Sequence, residues 1–103
     1  MKYGCRSKQD ILEHLTYMVL RAPNFPVEDE MDLNLAFDCL EYGLKIIEKE
    51  DARPAVVSAI AQMRAELLQA RTLFDSGEVV PACHKLQDAE GILRPIRVKA
   101  VVA

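Results

Sequence analysis

A chain of 103 residues is the size of one domain. Half of its residues are hydrophobic and 28% are charged, which fits a folded globular chain and excludes a disordered one. The net charge of −3 is unevenly spread: residues 21–51 hold nine of the sixteen acidic groups and three of the thirteen basic ones, a net −6. Phosphate binding needs clustered Lys and Arg, so this distribution argues against nucleic acid as the direct partner.

The first helix is expected over residues 8–22, after Ser7 as N-cap. Leu12, Leu15, Val19 and Ala22 recur at three-four-three spacing, with Ile11 and Met18 beside them, which marks one apolar helical face. His14 falls one residue off that face, which predicts a boundary or surface position. Pro23 and Pro26 end the helix and leave a short loop.

The second helix is expected over residues 30–50. Leu33, Phe37, Leu40, Leu44 and Ile47 form its main stripe. Leu35, Cys39, Tyr42 and Ile46 form a second apolar line, so the polar strip of Asn34, Asp38, Glu41, Lys45 and Glu48 is narrow. Such a helix either touches two neighbours or shows an apolar face to a partner.

The third helix is expected over residues 54–76, with Pro54 in its first turn and Gly77 as the C-terminal cap. Ile60, Met63, Leu67, Ala70 and Phe74 form its seam. The fourth is expected over residues 79–94, on Val79, Ala82, Leu86, Ala89 and Leu93, with Pro95 ending it. Pro81 is tolerated because it lies in the first turn. Gly43 and Gly91 lie inside helices, where they are expected to allow close packing. The tail 95–103 is β-prone, with no other strand signal to pair with; it is expected either to pack across the bundle or to stay unordered. Four buried stripes joined by short loops predict an all-α fold: a four-helix antiparallel bundle or two stacked helical hairpins, in a single domain over residues 1–103.

The chemistry-bearing residues are few. Cys5, Cys39 and Cys83 are distant and odd in number, with no Cys-x-x-Cys pair. Cys39 and Cys83 are expected as buried reduced thiols, and Cys5, near a chain end, as an exposed one. His14 and His84 are the only histidines, and no His pair stands one turn apart. No Gly-rich phosphate loop, nucleophile elbow or His-Glu zinc motif is present. The expectation is therefore a non-enzyme with no metal and no cofactor. No apolar run approaches the roughly 20 residues that span a bilayer, and residues 1–10 lack the apolar core of a secretory leader. A cytoplasmic protein without membrane contact is expected.

Two short stretches invite comparison. Around His84, with Leu86 two residues on, the chain resembles the active segment of histidine phosphotransfer domains; Gln87 and Asp88 replace the Lys and Gly of that pattern. A phosphotransfer module with a degenerate segment is what that resemblance implies. Ala70, Leu73, Gly77, Val79, Ala82, Leu86 and Ala89 resemble the spacing of a tetratricopeptide-type hairpin in a single copy. That resemblance implies a tight hairpin between helices three and four.

Glu28, Asp29, Glu30 and Asp32 crowd four acids into five positions at a helix start. Acids there suit the helix dipole, each worth up to about 1 kcal/mol, yet four exceed what capping needs. Asp38 and Glu41 continue the acidic line, and Tyr42 adds an aromatic anchor of the kind enriched at interfaces. These seven residues are the expected partner-binding set, for a protein with a basic surface. In general character, through Glu28-Asp29-Glu30-Met31-Asp32 and Asp38, Glu41 and Tyr42, the chain resembles small helical immunity proteins of contact-dependent growth-inhibition and colicin type. That resemblance implies neutralisation of a basic nuclease toxin by covering its active site. The alternatives are a helical-hairpin adaptor or chaperone-like protein that binds a partner peptide, and a homodimer through the second apolar face of helix two.

Overall fold

The computed structural model describes residues 5–21 and 33–98. They form four helices: α1 (Lys8–Arg21), α2 (Leu33–Glu50), α3 (Pro54–Asp75) and α4 (Val79–Leu93). Each helix packs on the ones before and after it in the chain, and α1 also packs on α4, which closes the ring. The backbones of the diagonal pairs α1–α3 and α2–α4 do not approach closely, and only core side chains lie between them. The fold is a four-helix bundle.

The helix ends follow from local chemistry. Ser7 Oγ accepts the Asp10 N–H (3.1 Å) and the Ser7 carbonyl accepts the Ile11 N–H (3.1 Å), so Ser7 caps α1 as its side chain predicts. The Asp10 carboxylate reaches back to the Arg6 N–H (3.0 Å). Between α2 and α3, Arg53 is extended at φ −60° and ψ 141°, as the residue before Pro54 must be. Gly77 takes φ 81°, a conformation that favours glycine. There the Glu78 N–H donates to the Leu73 carbonyl (2.8 Å) and the Gly77 N–H to the Phe74 carbonyl (3.0 Å). Those two bonds form a Schellman cap, and they turn α3 back into α4 with only Gly77 between the cap residues Ser76 and Glu78.

The core is one column of side chains from all four helices. Leu15, Leu40, Leu44, Ile60, Met63 and Leu86 are among its fully buried members. The stripes of α2, α3 and α4 lie where the periodicity puts them. On α1 the face is rotated by roughly 40° at 100° per residue: Ile11, Leu15 and Met18 sit at its centre, and Val19 is only half-buried.

Two expectations are corrected, the first by that rotation. His14 is not at the boundary but 1% exposed, and its Nε2–H donates to the Ala36 carbonyl on α2 (3.0 Å). Burial holds its pKa below the usual histidine value. Cys5 is not an exposed thiol either. It is buried against α2, with its Sγ–H toward the Asp10 carbonyl (3.8 Å), and burial pushes the thiol up to about 12.

Gly43 explains how Cys5 fits. A Cβ on Gly43 would stand 2.7 Å from the Cys5 Cβ and 3.1 Å from the Cys5 carbonyl oxygen, so only glycine lets this segment lie on α2. Gly91 is different from the expectation: it is exposed, and a Cβ there would meet nothing within 4 Å. Cys39 is buried and Cys83 half-buried.

The tail packs as far as it is described. Ile96 and Val98 lie half-buried on the core. Lys8 Nζ donates to the carbonyls of Arg94 (2.7 Å) and Ile96 (2.8 Å), placing a cation on the negative end of α4. Residues 99–103 lie outside the described residues, so the expectations for the tail apply here only to its first four. Among the described residues no helix is long and apolar enough to cross a membrane.

Candidate functional site

The partner-binding residues expected from the sequence all belong to α2 or the segment before it. Glu28, Asp29, Glu30 and Asp32 lie outside the described residues. Asp38, Glu41 and Tyr42 are on α2, and the structure separates them by role.

α2 touches two neighbours, and this accounts for most of its second apolar line. On one side Gly43, Ala36 and the buried Cys39 face α1. Leu35 and Ile46 are half-buried at the margin. Tyr42 alone on that line points outward, 50% exposed, on a helix anchored by the fully buried Leu40, Leu44 and Ile47.

On its other side α2 faces two arginines of α3. The Arg64 guanidinium donates through Nε to both oxygens of Glu41 (3.0 and 3.1 Å), and through its two terminal nitrogens to Glu48 (2.7 and 3.0 Å). Hydrogen bonding to Arg64 draws the Glu48 carboxyl below its usual value, and the two carboxylates hold the guanidinium protonated still more firmly. One turn pair further along, Arg71 donates to the Asn34 side-chain carbonyl (2.9 Å) and approaches Asp38 at 3.6 Å. Its guanidinium carbon lies 5.5 Å from the Phe37 ring centroid, and Phe74 meets the same ring edge-on at 6.2 Å. Glu41 is therefore ion-paired within the chain. Asp38 is only loosely held, with its side chain 68% exposed.

Between the two helices these residues line an open groove of about 250 Å³. Its floor is Phe37 and Leu67, and its charged walls are Asp38 and Glu41 on α2 and Arg64 and Arg71 on α3. Leu68 stands on the rim, 68% exposed. Sequence reasoning named the acids and missed the arginines and Leu68. The signal was present in the spacing: Arg64 and Arg71 are seven residues apart and share a line beside the α3 seam.

Other chemistry is sparse. Among the described residues no three His, Cys, Asp or Glu side chains gather as metal ligands would. His84 is exposed on α4, with Asp88 exposed one turn on. Asp51 is buried in the α2–α3 turn, where its carboxylate takes both Nε (2.8 Å) and a terminal nitrogen (2.7 Å) of Arg53. The same guanidinium donates to the Arg97 carbonyl (2.6 Å), so the pair ties the turn to the tail. Compared with protein-family models, with curated proteins and with solved structures, the chain matches none of them.

Proposed function

We propose that this chain is a non-catalytic protein-binding domain whose docking face is the outward side of α2, with the acidic residues 28–32 leading into it. The observation that carries the reading is Tyr42. It is half exposed on a helix whose opposite face is fully buried, and so offers a large, pre-positioned aromatic surface at low entropic cost. Asp38, mostly exposed and weakly paired, stands one turn away and adds a charge for a basic partner.

Within that reading the partner is a basic protein, and an immunity-type role fits: inhibition of a nuclease toxin by covering its cleft. The acids 28–32 supply steering, because Glu41 is already neutralised by Arg64. Tyr42 supplies the desolvated contact that slows release.

The test is capture from the native host with the wild-type chain, with Tyr42→Ala, and with Glu28→Gln, Asp29→Asn and Glu30→Gln combined. The expected result is a basic protein held by the wild type, released faster from Tyr42→Ala, and associating more slowly with the triple variant at low salt. A partner bound equally by all three chains would end the proposal.

A further inference from the structure

The α2–α3 groove fits one occupant in particular, a second copy of this chain. Its walls carry opposite charge: Asp38 and Glu41 on α2, Arg64 and Arg71 on α3. The two pairs run level with each other, because Arg71 meets Asp38 and Arg64 meets Glu41 across antiparallel helices. A two-fold axis drawn along the groove exchanges the walls. It lays the acidic wall of each copy over the arginine wall of the other, with Asp38 facing the second Arg71 and Glu41 the second Arg64. The two acids and two arginines cancel, so no net charge opposes the approach. Such self-complementarity is what an isologous interface requires.

The apolar part of the surface agrees. Leu68 is a large side chain left 68% exposed at the level of the groove, beside a floor of Phe37 and Leu67. Under the same axis, each Leu68, which stands on the α3 wall between Arg64 and Arg71, lies against the α2 wall of the other copy and is covered there. Asp38 has most of its surface open, and Arg71 is bonded through one terminal nitrogen to Asn34 while the other is 3.6 Å from Asp38. Both have bonding capacity left for an opposing chain.

We propose that this chain forms a symmetric homodimer through the α2–α3 groove, with Leu68 of each copy covered by the α2 wall of the other and Asp38 and Arg71 paired across the interface. This goes beyond the reading of Tyr42 and is tested without any partner, so either can fail alone.

The experiment is the mass of the purified full chain by sedimentation equilibrium, from about 1 to about 100 µM, at low and high salt. The expected mass rises with concentration toward twice the monomer, and salt weakens the association. Leu68→Asp, which sets an acid against the acidic wall of the other copy, is expected to give monomer throughout with an unchanged helical circular dichroism signal. Asp38→Arg and Arg71→Asp are each expected to be monomeric alone and to form a heterodimer when mixed, because opposite charges then meet at both symmetric contacts. A lost fold or an altered internal pair would not restore association on mixing. A wild type that stays monomeric across the range overturns the proposal and leaves the groove to a different protein. A Leu68→Asp chain that dimerises like the wild type, or charge-reversed variants that stay apart when mixed, overturns it as well.

Discussion

The two faces of α3 are built on opposite principles. Toward α4 the helices make their closest and longest approach, and the fully buried Ala70, Ala82 and Ala89 lie on these two helices. Small side chains let backbones come near, with a Lys85–Glu66 ion pair (3.3 Å) alongside. Toward α2 the approach is the least extensive of the four neighbouring pairs. There the gap is spanned by long charged side chains, Arg64 to Glu41 and Glu48, and Arg71 to Asp38 and Asn34. One side of α3 is held mainly by packing, with one charge pair at hand, and the other by a partly wet ladder of charges over an open groove. The difference separates where the molecule has its stability from where it has surface to spare for recognition.

The sharpest way to break this comparison is to crowd the tight side. Ala70→Leu places extra methylenes in a fully buried site, and a loss of about 1–3 kcal/mol is expected by urea unfolding. The same assay should show a smaller loss for Arg64→Met, about 1 kcal/mol, because the ion pairs are a third exposed. Equal losses at the two positions would erase the distinction between the faces.

The glycines sharpen it at a finer scale. Gly43→Ala should destabilise, since the Cβ would press on the Cys5 Cβ and main chain; the clash outweighs the helix-propensity gain of about 1 kcal/mol. Gly91→Ala meets open space and should stabilise by about 0.4–1 kcal/mol. Two identical substitutions in helix interiors are thus expected to change the unfolding midpoint in opposite directions.

The smallest effect at neutral pH belongs to His14. Its folded pKa lies below the ordinary value of 6.5, so the stability it contributes is complete above that pH and is lost as the pH falls below it toward the folded value. Glu48 behaves alike in sign but later, since its ordinary value is 4.5 and its folded one lower. Unfolding midpoints measured through the histidine range should therefore decline on acidification, and His14→Gln should flatten that decline while leaving the lower, carboxylate limb.

The helices were legible in the sequence because their causes are local. Ser7 and Gly77 act through bonds to residues within one turn and Pro54 through its fixed φ, and the stripes of α2, α3 and α4 need only their own periodicity. His14 and Cys5 were misread for a non-local reason. α1 sits between α2 and α4, so its buried face is wider than a single stripe and turned toward His14. Nothing within α1 reports that rotation. Cys5 is buried because Gly43, 38 residues away, leaves room for it. The acids of α2 were legible as a polar strip, but their neutralisation depended on the angular register of α3. Arg64 and Glu41 are 23 residues apart, and only the packed bundle brings them together.

The bond from Lys8 to the last turn of α4 also sets an order in time. The α3–α4 hairpin closes over a single glycine turn, whereas Lys8 reaches carbonyls 86 and 88 residues along the chain. Contacts of low sequence separation form fast, and distant ones wait on loop closure. The hairpin is therefore the natural folding nucleus, and seating α1 against α4 is the late step. In the reverse direction, opening of the ring at this contact should leave the hairpin intact, so the amides of α1 are expected to exchange with solvent more readily than those of α3 and α4.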